Sequence, residues 1–443
     1  MRAGRWARWF SLWLLLLGSL HAVSEPASLW GIPLSEYALR RNALREAAGE
    51  QAIIIAGESA TPVRLKFRQE SNFMYLTGVE APGAVLMLLP ENSPLGVHEV
   101  LFLREQSPVA RLFEGELPAP NERTQRTTGI QSVRSTRELN DFLKQVAQTH
   151  PQILLNRFAR SAELEQTLHK ANPQVQAGSV ERLLAALRIK KSPAELRLIR
   201  AAIRATIDAH RAAARKIAPG VYEYEVEAVI QEAFRRNGSE RDAFPSIIGS
   251  GPNSCILHYN ANRRRMQKGD LVVVDIGAEY SYYAADLTRT YPVSGKFSPR
   301  QRALYQAVLT AQQAAERAAK PGITMRELDR IAREALRNSP LRAKDVDGKE
   351  YTLDHFFQHG LGHSVGLDVH DPETGQPLPP GAVFTIEPGV YIPTENIGIR
   401  IEDDYLMTEQ GAIKLSAALP SDPAAIERLM NTRRQPLSRD STP

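Results

Sequence analysis

The chain has 443 residues, 43% hydrophobic and 24% charged, which is long enough for two domains and apolar enough to fill both cores. Its 29 prolines and 28 glycines follow no period, which excludes collagen-like and low-complexity classes. The formal charge is +5, but Arg2, Arg5 and Arg8 stand in an acid-free opening segment; without them 52 basic residues face 50 acidic ones, no long basic block remains, and nucleic acid drops out as a partner.

The three arginines precede an apolar run from Trp9 to Leu20, followed by small residues at cleavage-site spacing through Ser24. This pattern reads as a signal peptide over residues 1–24, and hence as export to a periplasm or the outside. The run is shorter than the roughly 20 residues a spanning helix needs, and no membrane contact beyond this segment is expected. From Trp30 to Ala186, apolar strand-like runs (Ala52 to Ala56, Val85 to Leu89, Val100 to Leu103, Ile153 to Leu155) alternate with helical stretches such as Ser35 to Ala48 and Ser161 to Lys170. That alternation predicts an α/β domain. The basic stretch Arg188 to Lys191 marks the boundary, and Ser192-Pro193-Ala194-Glu195 forms a capping box opening a helix to about Ile217.

The second half repeats itself. Helices opened by Ser192-Pro193 and Ser298-Pro299 are each followed by a Pro-Gly turn, a second helix and an apolar strand. Gly269 to Gly277 aligns with Gly381 to Gly389 at an offset of 112 residues, which superposes Asp275 on Glu387 and His258 on His370. A duplicated unit explains helix, helix and strand recurring in order.

Five hard-donor side chains fall at strand ends or among glycines: Asp275, Asp286, His363, Glu387 and Glu402. A hairpin centred between Tyr280 and Ser281 places Asp275 directly opposite Asp286, with Cβ atoms about 5 Å apart. Carboxylates that close repel unless a cation lies between them or one is protonated. Four carboxylates and one imidazole suit two divalent ions, Mn²⁺ first and Co²⁺ or Zn²⁺ as alternatives. The only cysteine, Cys255, rules out an intrachain disulfide and a thiolate site, and reads as a buried thiol. His359, His363 and His370 stand among glycines that permit close backbone approach, whereas His355 reads as structural.

At these residues the sequence resembles the pita-bread metallopeptidases and, within them, the Xaa-Pro aminopeptidases. The carrying segments are Val274 to Gly277, Ala285 to Arg289, His359 to Asp371, Thr385 to Gly389 and Gly398 to Asp403, and Phe67 to Gly78 looks like that family's N-terminal marker. The resemblance implies an α+β chain: an N-terminal α/β domain (25–187) and a C-terminal pita-bread domain (188–443) with an internal pseudo-two-fold repeat. It implies that Asp275 and Asp286 chelate one ion and that Asp286 and Glu402 bridge to a second, completed by His363 and Glu387. A hydroxide between the ions attacks the scissile carbonyl, Glu387 shuttles the proton, and His258 and His370 hydrogen-bond the substrate or the tetrahedral intermediate. His359, Tyr391 and Arg400 line the pocket for the proline ring. Proline-containing peptides are the implied partners, and a dimer or tetramer the implied assembly.

In that family an aromatic residue from a neighbouring subunit often helps the site. Phe113 stands where a Trp is expected, so an inter-subunit contact and a plain core position both remain open. Prolidase, which cuts Xaa-Pro dipeptides, shares every implied ligand and is the competing reading. The short segment between His370 and Glu387 and the exported location favour the aminopeptidase. Methionine aminopeptidase does not account for the N-terminal domain, metal-free creatinase-like chemistry does not account for five intact ligands, and a binding module that had lost catalysis predicts missing ones.

Overall fold

The computed structural model describes residues 28–59 and 66–431. The proposed signal segment lies outside these residues.

The N-terminal half is built on a six-stranded mixed sheet with strands in the order 132–135, 99–103, 85–88, 52–56, 152–155, 176–179. The strand Ala52–Ala56 pairs antiparallel with Val85–Leu88 and parallel with Gln152–Leu155. Its continuous apolar run is explained by burial on both faces. Ala52, Ile54 and Ala56 pack under the helices Leu139–Thr149 and Ala159–Ala171. Ile53 and Ile55 face the opposite way, into a core that also holds Ile199 and Ile203 of the next domain and Tyr282, Tyr283 and Leu287. The two halves therefore share one of their cores across the predicted boundary.

Helix Pro193–Lys216 opens with the expected capping box, in which the Ser192 hydroxyl accepts from the Glu195 amide and Glu195 accepts from the Ser192 amide. The second copy repeats the device at Ser298 and Gln301 for helix Pro299–Ala318. Each long helix is followed by a shorter one, Glu223–Arg236 and Met325–Arg337, so the repeat is real at the level of elements. Strands Leu271–Ile276 and Val383–Ile386 then follow, each in a three-stranded antiparallel sheet, the first as its central strand and the second at its edge.

Two expectations need correction. In the hairpin that carries both aspartates, Asp275 pairs with Thr288, not with Asp286. The turn is centred on Ser281 and Tyr282, whose φ angles of 47° and 74° belong to the left-handed region. Tyr282 is fixed there because its ring is 1% exposed at the domain junction, where its hydroxyl accepts from the Gln69 amide and donates to Glu80. The resulting slip is two residues, an even number, so Asp275 and Asp286 still share a face. Phe113 is not core: with Val109 and Leu112 it is exposed on helix Pro108–Glu114, a helix with no buried residue.

Gly277 is where this hairpin bends. A Cβ there would lie 1.9 Å from the Ala285 carbonyl oxygen and 2.7 Å from the Phe244 ring. We expect Gly277→Ala to lower the unfolding free energy by about 3 kcal/mol. Gly360→Ala is the comparison, because no atom lies within 4 Å of the added carbon. Denaturant titration of both variants checks this, and equal midpoints would refute it.

Candidate metal centre and active site

Asp275 lies within strand Leu271–Ile276, and Asp286 immediately precedes strand Leu287–Pro292. Glu402 follows strand Ile397–Arg400 and is tied to the first copy by backbone pairing with Thr288 in both directions. Glu387 follows strand Val383–Ile386, and its amide donates to the Leu361 carbonyl. His363 is laddered beside that strand through its own carbonyl, which accepts from the Thr385 amide at 2.9 Å. Gly362 allows this closeness, since a Cβ at that position would stand 2.3 Å from the Thr385 carbonyl oxygen.

These elements bring all five sequence-predicted donors to the wall of one cavity of about 520 Å³. His363 Nδ1 lies 3.1 Å from the Ser364 carbonyl, which can only accept, so Nδ1 carries a proton and Nε2 is the nitrogen turned toward the carboxylates. Nε2 is 3.4 Å from an Asp286 oxygen and 3.5 Å from a Glu387 oxygen. One ligand atom each from Asp286, His363 and Glu402 lies within 4.8 Å of the other two.

The electrostatics are those of an uncompensated anionic cluster. Burial first, and the charges of Glu402 and Asp275 next, push the Asp286 carboxyl well above the carboxylate range. Glu387 is raised by burial and by Glu402, and Glu402 is raised to about 7 by burial and by Asp275. Burial pulls the His363 imidazole down, but Glu387 and Glu402 outweigh it and raise it overall. Three of the four carboxylates are oriented by a donor: Arg400 Nη2 on Asp275 at 2.6 Å, Thr288 Oγ1 on Glu402 at 2.6 Å and Thr385 Oγ1 on Glu387 at 3.3 Å. The remaining oxygen of Asp275 and one oxygen of Asp286 are buried with no hydrogen-bond partner among the described residues. Buried, mutually repelling oxygens without donors, beside an imidazole nitrogen turned toward them, fit a divalent cation centre.

The raised carboxyls give a signed pH prediction. In metal-free protein the native state holds protons that the unfolded chain releases above the ordinary value of 4.5, so their stabilising contribution is full below 4.5 and is lost as pH rises through about 7. A divalent ion binds the ionised groups and cancels that loss. The rise in Tm on adding Mn²⁺ to chelator-treated protein is therefore expected to be larger at pH 8 than at pH 5.5. An equal rise at both pH values would count against a carboxylate centre.

The histidines divide by exposure. His258 and His370 are exposed and line the cavity, and the His370 ring centroid is 3.9 Å from that of His363. Burial, His363 and His258 lower the His370 pKa. His359 also lines the cavity, but both its nitrogens are engaged, Nδ1 with the Gly360 carbonyl and Nε2 with the Tyr391 hydroxyl, each at 2.8 Å. Burial and the neighbouring Arg400 lower its pKa to about 3, so it presents a neutral ring face. Tyr391 departs from the sequence expectation. It is 1% exposed and stands behind the cavity wall, receiving Arg400 Nη1 at 2.8 Å. Arg400 does reach the cavity, between Tyr391 and Asp275. His355 lies apart, paired with Asp345 at 2.6 Å, and Cys255 is half-buried rather than fully enclosed.

Sequence reasoning missed the apolar wall formed by Phe244, Pro245, Ile247, Leu257 and Val369. No motif marks these residues, which come from three separate segments. It also missed Asp404, a fully buried carboxylate that accepts the Asp286 amide at 3.1 Å. Its place right after Glu402-Asp403 was the one available hint.

Comparison with known proteins agrees with this geometry. Residues 197–409 match the model of metallopeptidase family M24, and residues 37–155 match the N-terminal domain of aminopeptidase P. The Xaa-Pro aminopeptidase of Escherichia coli is 34% identical over 440 residues, covering 91% of this chain and 99% of its own. A solved zinc-substituted E. coli aminopeptidase P in complex with product has a TM-score of 0.82 at 33% identity, covering 91% of this chain and 100% of that one. The Xaa-Pro dipeptidase of Pyrococcus furiosus is 43% identical over 235 residues, covering 52% of this chain and 64% of its own.

Proposed function

Since the chain belongs to metallopeptidase family M24, we propose that it is a metal-dependent exopeptidase releasing the N-terminal residue from peptides with proline in the second position. The observation that carries the choice of aminopeptidase over dipeptidase is the length of the match: the E. coli aminopeptidase aligns across both domains, whereas the dipeptidase aligns with about half of the chain. The boundaries of that organisation are proposed as a signal segment 1–24, an N-terminal domain 25–187 and a catalytic domain 188–443.

Asp275, Asp286, His363, Glu387 and Glu402 would hold two divalent ions, with Mn²⁺ proposed and Co²⁺ or Zn²⁺ as alternatives. When bound, the ions supply Lewis acidity at the scissile carbonyl and an acidified water. The leaving nitrogen of a Xaa-Pro bond belongs to a tertiary amide and must gain a proton to depart as an amine. Glu387, between His359 and His363, is placed to take a proton from water and deliver it to that nitrogen. His258 and His370, exposed on the cavity wall, orient the carbonyl by hydrogen bonding. The His359 ring face and the wall of Phe244, Ile247 and Leu257 offer a dry surface for a pyrrolidine ring. Arg400 and Tyr391 orient His359 and Asp275 from behind.

The test compares Arg-Pro-Pro-type peptides with Xaa-Pro dipeptides on metal-loaded protein. Faster turnover of the longer peptide is expected, and preference for the dipeptide would overturn the choice. Export is proposed from the opening segment, and N-terminal sequencing of the mature protein checks it. Self-association into a dimer or tetramer is proposed with support from the exposed apolar residues Val109, Leu112 and Phe113. Light scattering of Leu112→Asp is expected to show smaller particles.

A further inference from the structure

The segment joining His363 to His370 turns through Leu367 and Asp368, and its side away from the cavity is held by groups from the N-terminal domain and the interdomain junction. Asp371, 3% exposed, accepts Arg188 Nη2 at 2.6 Å on one oxygen and Lys191 Nζ at 2.9 Å on the other. Arg188, the last residue of helix Glu181–Arg188, also donates to Asp368 at 2.7 Å and to the Asn72 side chain at 2.6 Å. Ser71 Oγ donates to the second Asp368 oxygen at 2.6 Å, and Arg68 Nη2 donates to the Leu367 carbonyl at 2.7 Å.

The loop has little room to shift. The Asp371 amide donates to the Ser364 carbonyl at 2.9 Å, and a Cβ on Gly366 would stand 2.6 Å from an Asp371 oxygen. One residue before Asp371, His370 reaches the cavity with its ring against His363. Desolvating an arginine, a lysine and an aspartate costs about as much as their attraction returns, so such a cluster is weak evidence for stability and better evidence for a fixed arrangement.

We propose that Arg188 is a positioning residue: through Asp371 and Asp368 it sets the orientation of His370 in the cavity, and it thereby couples the N-terminal domain to the chemistry. This rests on the aminopeptidase reading and assigns the first domain a task in it. The basic stretch that marks the domain boundary in sequence is, at Arg188 and Lys191, a buried clamp on the loop that carries His370.

The test is a kinetic double-mutant cycle on the metal-loaded full chain with a Xaa-Pro tripeptide, using Arg188→Met, His370→Ala and the double variant. Arg188→Met is expected to lower kcat by about tenfold or more, since misplacement of a catalytic group by 1 Å can cost about 10²-fold, with KM and bound metal per chain nearly unchanged. In the His370→Ala background the same substitution is expected to cost less than about twofold, because its effect passes through His370. Arg241→Met is the control: Arg241 binds Glu80, Glu279 and the Phe67 carbonyl at the same domain junction, so its variant is expected to lose Tm and keep kcat. Full kcat in Arg188→Met, or equal losses in both backgrounds, would overturn the proposal. If Arg188→Met does not fold, Ser71→Ala is taken through the same cycle, with a smaller coupled loss expected and an additive loss overturning. Active wild-type enzyme with additive losses defeats this inference alone, whereas wild-type enzyme inactive on every Xaa-Pro peptide defeats the reading beneath it.

Discussion

Asp286→Asn is expected to remove peptide hydrolysis almost entirely, lowering kcat/KM by roughly 10⁴-fold, the order of loss when one member of an interdependent catalytic set is deleted. The shape of the side chain is kept, so the loss isolates the charge. Asp286 is 5% exposed, joins the close cluster with His363 and Glu402, and is repelled by both Glu402 and Asp275. An amide there offers N–H donors where a cation needs an acceptor, and metal content is expected to fall with activity. In chelator-treated protein the sign reverses: removing one anion from a buried anionic group relieves repulsion, and the Tm at pH 8 is expected to equal or exceed that of wild type. Metal analysis and calorimetry with and without chelator check both halves. Unchanged hydrolysis with metal still bound would sink the dinuclear reading.

Arg289→Met carries the largest expected loss of stability. The guanidinium is fully buried and donates to Asp403, to the backbone carbonyls of Thr288 and Glu402, and to those of Leu419 and Pro420. It thus ties the strand following Asp286 to the backbone of Glu402 and to the C-terminal segment. Removing it leaves Asp403, itself fully buried, with Lys414 at 3.1 Å as its remaining cationic partner. Breaking a buried pair from one side costs about 3–5 kcal/mol. Because Glu402 and Thr288 are held by the same group, metal affinity is expected to fall as well. Chemical denaturation gives the first quantity and metal titration the second. A stability loss below about 1 kcal/mol would refute this account.

The two variants separate two kinds of buried charge. Burial raises Asp403 and the charge of Arg289 and Lys414 lowers it below the usual range overall, so this carboxylate is compensated by the protein itself. The neighbouring Asp286 and Glu387 are left raised, with a cation needed to complete them. The difference is one of partners, since Asp286 is buried as Asp403 is and yet is raised.

Much of this was legible in the residue order because the site is built from local patterns. The capping boxes at Ser192 and Ser298, the apolar strand Ala52–Ala56 and the duplicated helix–helix–strand unit follow from hydrogen-bonding and periodicity rules that act over a few residues. The five donors were recognisable because hard ligands at strand ends and among glycines are unusual in combination, and the fold brings all five to one cavity. The hairpin register was not legible, because a tyrosine anchored in the other domain decides the turn. Neither was the placement of Tyr391, whose distance from the cavity depends on Arg400 meeting it from the neighbouring strand and His359 from a loop.

The sequence by itself therefore determined the chemistry: which atoms can hold a hard cation, which strands present them, and that two copies of one unit supply them. Only the tertiary structure decided how that chemistry is supported. The apolar wall, the pairing of Arg289 with Asp403 and the clamp of Arg188 and Lys191 on Asp371 join residues separated by more than 100 positions. Local propensity carries no information about such pairs; they are set by which surfaces meet when distant segments pack together, within the C-terminal half for the first two and near its junction with the N-terminal half for the third.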